Sequence, residues 1–222
     1  MAKILVISPH ALDEVLGCGG VLAAATERGD MATTVIVFGD GTGHDGKRRK
    51  AAEEAAALLG CTNPQFLGMP ENRGDAVALS DVIGPLESAI SKVKPDMVYV
   101  PHGGSLHVDH RSTYRAAVTA LRPLPGSRVQ AIYGYEILSS TDWAPACDLE
   151  SFVPCRYEEI TAQLQIKMAA IDLYAFDMRP PPHARSPEAV RRLAEMRGST
   201  VGLFASEAFT VVREIKRNSD QN

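Results

Sequence analysis

The sequence lacks the features that would place it in a membrane, in a secreted disulfide framework or on nucleic acid. No apolar run approaches the roughly 20 residues that a bilayer-spanning helix needs. The four cysteines, Cys18, Cys61, Cys147 and Cys155, form no CxxC pair and no zinc-finger spacing, so they read as reduced thiols rather than bridges or a structural zinc cluster. Positive charge is not in excess: the formal net charge is −4, which leaves no electrostatic footprint for nucleic acid or anionic lipid. Two basic clusters, Lys47-Arg48-Arg49-Lys50 and Arg191-Arg192, each fall on an expected helix, where a solvated face accounts for them. The start, Met1-Ala-Lys-Ile-Leu-Val-Ile-Ser, enters a strand pattern at once without the charged and apolar regions of a signal peptide, so the cytoplasm is the expected compartment. The 18 glycines and 14 prolines are spread out, with no low-complexity tract, linker or internal repeat. A chain of 222 residues with these properties predicts one α/β domain over 1–222.

What is present is an alternation of strand and helix signals. Lys3–Ser8 is a short apolar, β-branched run suited to a buried parallel strand, and Gly17–Arg28 reads as a small, apolar helix. Thr33–Phe38 predicts a second strand. Arg48–Leu59 is alanine-rich and closed by Gly60, as a helix with a glycine cap would be. A short strand near Gln65–Leu67, a helix over Ser80–Val93 and a strand over Asp96–Val100 follow. Further on, Val129–Ile137 predicts a strand, Ile160–Phe176 and Glu188–Met196 helices, and Phe204–Ile215 a terminal strand or helix. Arg179-Pro-Pro-Pro-His183 reads as a rigid surface loop. The order predicts a Rossmann-like, doubly wound, mostly parallel sheet with helices on both faces. Ligands in such sheets sit beyond the carboxyl ends of the strands.

Two segments at strand ends carry chemistry. Pro9–Glu14 offers His10 and Asp13, an imidazole and a carboxylate three residues apart; taken alone, such a pair is more often a surface pair or a helix cap. His107-Val108-Asp109-His110 brackets an aspartate with two histidines, and with His102 it holds three of the six histidines of the chain. A polar loop leading to an Asp-capped helix that starts at Arg111 explains that segment equally well. Together the two segments supply the imidazoles and carboxylate of a catalytic zinc site with one position left for water.

The segment Pro9-His10-Ala11-Leu12-Asp13-Glu14-Val15-Leu16-Gly17-Cys18-Gly19-Gly20 resembles the P-H-P-D-D-E-x-L-G-x-G-G opening of the LmbE-like, or PIG-L, de-N-acetylases, and His107–His110 resembles their H-x-D-H signature. Gly39-Asp40-Gly41, Leu59-Gly60 and Ser206-Glu207-Ala208-Phe209 extend the likeness over nearly the whole chain. The resemblance implies that His10, Asp13 and His110 hold Zn²⁺, with Fe²⁺ an accepted substitute. It implies that His107 polarises the substrate carbonyl or stabilises the oxyanion, that Asp109 orients His107 by a hydrogen bond, and that Arg48 contacts substrate. The implied reaction is removal of an N-acetyl (N-acyl) group from a small-molecule amino-sugar conjugate.

One departure falls on the chemistry. The family's general base, the first aspartate of its acidic pair, is Leu12 here, and a leucine takes no proton. Glu14, the Asp109–His107 pair or a residue from elsewhere could act instead, zinc activation alone could support a slow enzyme, or the protein could bind without turnover as a pseudoenzyme. Near Arg48, the family's glutamate one turn on is Ala51, and a solvated helix position explains Arg48 equally well. Tyr135 and Glu136 are expected in core packing and a strand-end ion pair. Gly41-Thr-Gly-His-Asp-Gly46-Lys47-Arg48 approximates a phosphate loop, but Arg48 stands where Ser or Thr would hold Mg²⁺. Gly17-Cys18-Gly19-Gly20 fails a dinucleotide fingerprint at Leu22, and its glycines are expected to let the helix start close against the metal loop.

Overall fold

The computed structural model describes residues 1–39, 45–145 and 151–216. Cys147, the Asp40-Gly41 part of the second-strand motif, and residues 41–44 of the phosphate-loop-like stretch lie outside them. The elements are β1 (Lys3–Ser8), α1 (Asp13–Glu27), β2 (Met31–Phe38), α2 (Asp45–Leu58), β3 (Gln65–Met69), α3 (Leu79–Val93), β4 (Met97–Pro101), α4 (Val108–Ala120), β5 (Ala131–Tyr135), β6 (Arg156–Glu159), α5 (Leu164–Asp172), α6 (Pro187–Ser199) and β7 (Ser206–Glu214). The strands form a mixed, mostly parallel sheet in the order β3-β2-β1-β4-β5-β7-β6. The first five run parallel to one another, and β7 pairs antiparallel with both β5 and β6.

Residues alternate across the strands and divide the core in two. Leu5, Ile7, Val35, Val37, Val98 and Val100 face α3 and α4, joined there by Val82, Leu86 and Ala116. Ile4, Val6, Ile36, Tyr99, Tyr133 and Tyr135 face the other way, against side chains of α1, α2, α5 and α6. This is the doubly wound arrangement that the strand–helix alternation predicts. No helix among the described residues is long and apolar enough to cross a membrane.

Several boundaries differ from the expectation, each for a local reason. The first helix begins at Asp13 rather than Gly17, because the acidic pair Asp13-Glu14 suits an N-terminal turn. The expected helix over Ile160–Phe176 is the shorter α5, and Phe204–Ile215 contains a strand, β7. The edge strand β6, Arg156–Glu159, gives no alternating signal because it is polar and half-buried. The glycines of α1 serve packing away from the metal loop: a Cβ on Gly17 would lie 2.1 Å from the Tyr135 ring, one on Gly19 3.2 Å from the Lys167 side chain, and one on Gly20 2.5 Å from Ile160.

A buried ion pair fastens α1 to the C-terminal part of the sheet. Glu207 on β7 accepts from Gly20 N and Val21 N at 2.8 Å each and from Lys167 Nζ at 2.6 Å. Lys167 on α5 also donates to Leu16 O at 2.8 Å. Glu207 belongs to the Ser206–Phe209 stretch singled out above, and this contact gives that stretch a physical role. Removing one partner of a buried pair leaves an uncompensated charge. Lys167→Met is therefore expected to lower unfolding free energy by about 3–5 kcal/mol in a urea titration; a loss within error of zero contradicts the fastening role.

Candidate metal centre

The centre lies where the strand order reverses, between β1 and β4, which is where doubly wound sheets open a crevice. Ser8 Oγ donates to His10 O at 2.7 Å and closes the turn after β1. Leu12 then takes φ 94° and turns the chain straight into α1, which places Asp13 on its first turn. From β4, the chain runs to His107, the N-cap of α4. His110 therefore sits on the first turn of a helix, not in a loop, and the cap is His107 rather than an aspartate before Arg111.

These turns bring the three expected ligands together. Asp13 Oδ2 lies 3.2 Å from His10 Nδ1 and 3.3 Å from His110 Nε2. The outer nitrogen of each imidazole is held: His10 Nε2 lies 2.8 Å from Asp109 Oδ2, and His110 Nδ1 lies 3.0 Å from Ser105 Oγ. Such contacts fix which ring nitrogen faces inward, as partners behind metal-binding histidines do. Asp13 and His110 are buried, while the His10 side chain keeps 15% exposure toward the cleft.

Asp109 does not orient His107 through its carboxylate as the resemblance implies. Its oxygens accept from Asn72 N at 2.7 Å and Gly74 N at 2.8 Å and meet His10. The link to His107 is made by the main chain: Asp109 N donates to His107 Nδ1 at 3.1 Å, the N-cap bond of α4. Capping points the two side chains apart. A Cβ at Gly74 would come within 2.9 Å of Asp109 Cα, so this approach requires glycine.

Because Nδ1 of His107 is an acceptor, its neutral ring carries the proton on Nε2, which faces Asn72 Oδ1 at 3.2 Å. Burial, reinforced by the charges of His110 and His10, pushes His107 down to about 4, so it is neutral near pH 7. Burial opposes a charge on His10, but its bonds to Asp109 and Asp13 outweigh that and push it up to about 9. Asp13 stays ionised despite burial because His110 and His10 face it. The cluster thus draws positive charge to a buried point, and a divalent ion meets that demand as a proton does.

Two groupings have ligand atoms within 4.8 Å of one another: His10, Asp13 and His110, and His10, His107 and Asp109. In the second, both His107 nitrogens and both Asp109 oxygens already serve other bonds. The first directs three donors to one point, and its two imidazoles and one carboxylate fit zinc or ferrous iron.

A cleft of about 200 Å³ opens over these residues, lined also by Leu12, Arg48, Glu71, Asn72, Asp177 and Arg185. Arg48 reaches it, held by Asp177 through Nε at 2.6 Å and by Glu71 through Nη1 at 3.1 Å. Leu12 is 2% exposed and belongs to the core cluster as well as to the cleft wall. Glu14 is buried and is not among the residues lining the cleft, and it accepts from Tyr174 OH at 2.8 Å. Tyr135 is fully buried and donates to Ile7 O at 2.9 Å, and Glu136 pairs with Arg197, as expected. Sequence reading missed Ser105, Asn72, Gly74, Glu71, Asp177 and Arg185, which come from loops without motif spacing.

Fold and donor set together define a PIG-L-type deacetylase. The chain belongs to that family: the family description "PIG-L: GlcNAc-PI de-N-acetylase" matches residues 5–121. That segment holds every residue of the candidate metal centre, while Asp177 and Arg185 lie beyond it. The chain is 31% identical over 176 residues to the "Uncharacterized deacetylase YaiS" of Escherichia coli (strain K12), covering 76% of this chain and 88% of that protein. Its fold matches the conserved protein TT1542 from Thermus thermophilus at TM-score 0.77 and 25% identity, over 100% of each chain. N,N'-diacetylchitobiose deacetylase from Pyrococcus horikoshii, in complex with its inhibitor MPG, shares the fold at TM-score 0.76 and 24% identity, over 95% of this chain and 84% of that one.

Asp109→Ala would strip the acceptors from two main-chain N–H groups and the partner from His10. Unfolding free energy is expected to fall by about 1–3 kcal/mol in chemical denaturation of the metal-free protein, and an unchanged midpoint contradicts the bonding described.

Proposed function

We propose that this chain is a zinc-dependent hydrolase that removes an N-acetyl (N-acyl) group from an amino-sugar conjugate, with ferrous iron able to replace zinc. The supporting observation is the convergence of His10 Nδ1 and His110 Nε2 on Asp13 Oδ2, with both outer nitrogens held. Residues 1–222 would act as one unit, in the cytoplasm, on a small molecule.

His10, Asp13 and His110 would hold the ion, which when bound supplies Lewis acidity to water and to the amide carbonyl. Asp109 and Ser105 keep the two imidazoles in the tautomers that face inward. His107, neutral with its proton on Nε2, would exchange Asn72 Oδ1 for the carbonyl oxygen and donate to it as negative charge develops there. Breaking the C–N bond yields acetate and the free amine, and the amine needs a proton as it leaves. Arg48, anchored by Glu71 and Asp177, would support the sugar.

Leu12 stands where the family has its base, and this weighs on rate rather than on class. Among the described residues, the carboxylates lining the cleft all have partners: Asp13 faces two imidazoles, and Glu71 and Asp177 hold Arg48. That observation favours one second reading, a centre that binds metal and amino sugar with little turnover.

Metal analysis of the purified protein is expected to give one ion per chain, lost in His10→Ala and in His110→Ala but kept in His107→Ala. Retention in both of the first two variants, or loss in the third, sinks the ligand assignment. His107→Ala is expected to lower kcat for acetate release by about 10²–10³-fold.

Leu12→Asp is expected to raise acetate release from an N-acetylglucosamine conjugate by about 10²–10⁴-fold, the usual worth of a positioned base. A variant that binds zinc and sugar yet gains nothing contradicts the missing-base account.

A further inference from the structure

The cleft holds two arginines in opposite electrostatic situations. Arg48 is neutralised by two carboxylates, Glu71 and Asp177. Arg185 lines the same cleft, half-buried, and its guanidinium is held by one neutral group: Nε and Nη2 donate to Ser139 Oγ at 3.2 and 3.0 Å. Among the described residues no carboxylate pairs with it. Its placement is built on both sides. Arg185 N donates to His183 Nδ1 at 2.9 Å, and the next residue, Ser186, caps α6 by accepting from Ala189 N at 3.1 Å. Ser139 is 8% exposed and takes φ 68° in the turn after β5, where Ser140 N and Thr141 N both donate to Ile137 O. A left-handed φ at a residue other than glycine is a backbone cost, and here it aims a buried hydroxyl at the guanidinium.

A guanidinium never loses its charge and presents a planar fork of donors matched to carboxylate or phosphate oxygens. Held by one hydroxyl, with no direct carboxylate partner among the described residues, Arg185 keeps donor capacity beside the candidate metal centre. We propose that Arg185 is an anion subsite of the cleft, and that the preferred substrate carries a phosphate or carboxylate on its amino sugar. This rests on the hydrolase reading above and adds a specificity determinant from outside the family-matched segment.

The test compares zinc-loaded full-length protein on three probes: N-acetylglucosamine 1-phosphate, N-acetylmuramic acid and the neutral methyl glycoside of N-acetylglucosamine. The KM of at least one anionic probe is expected to lie on the order of 10- to 100-fold below that of the neutral one, the scale of a charged hydrogen bond. Whichever probe it is identifies phosphate or carboxylate as the source. Arg185→Gln is expected to abolish that ratio and Arg185→Lys to keep part of it, with thermal melts confirming that both variants fold. Calorimetric binding of the same probes separates the two levels of the argument. Arg185-dependent anion binding without acetate release upholds the subsite and defeats the hydrolase reading. Acetate release with the same KM ratio in wild type and Arg185→Gln, or a wild type that prefers the neutral glycoside, overturns the subsite.

Discussion

The site depends on one contact, the meeting of Asp13 Oδ2 with an imidazole nitrogen from each of two strand ends. Buried in this way, a carboxylate and two imidazoles are stable only when charge and hydrogen bonds close around them. Much of the surrounding structure supplies that closure. Asp109 and Ser105 hold the rings from behind, and Asn72 N and Gly74 N hold Asp109 in turn. The first turns of α1 and α4 present Asp13 and His110, and the parallel pairing of β1 with β4 brings those turns side by side. Further out, the Lys167–Glu207 pair holds the second turn of α1 against the C-terminal strands. A sheet built for packing thus also sets the geometry of three donors.

The parallel half of the fold was legible because its strands are continuous apolar runs divided by helix signals, and such runs have few other uses. The convergence of His10, Asp13 and His110 was legible for a related reason: strand ends in a doubly wound sheet share one edge. The expectation that His110 rather than His107 joins them came from resemblance, since spacing alone does not separate the two histidines. What separates them physically is the N-cap, which commits His107 Nδ1 to a main-chain N–H and leaves His110 free to turn inward. Local sequence carries no trace of contacts made across long separations. Asn72 and Gly74 meet Asp109 from more than thirty residues away, and Asp177 reaches Arg48 across the molecule. The antiparallel edge was hidden as well, because β7 inserts between β5 and a polar β6 against chain order.

Leu12 shows how one position can serve two demands. Its backbone must turn at φ 94° to start α1, a conformation more natural to glycine, asparagine or aspartate than to leucine. Its side chain is nevertheless buried in the core and on the cleft wall. Burial of a leucine is worth about 1.5–3 kcal/mol, enough to offset a backbone cost of about 1–3 kcal/mol. Stability can therefore tolerate a leucine at this turn. The two cleft arginines differ in their partners: Arg48 is held by two carboxylates, and Arg185 by the Ser139 hydroxyl.

The most direct test of the central claim is anomalous diffraction from zinc-loaded crystals, recorded at the zinc absorption edge. A single strong peak within bonding distance of His10 Nδ1, Asp13 and His110 Nε2, with His107 uncoordinated, is the predicted result. A peak coordinated by His107 and Asp109, or none at this cluster while zinc binds elsewhere, would contradict it.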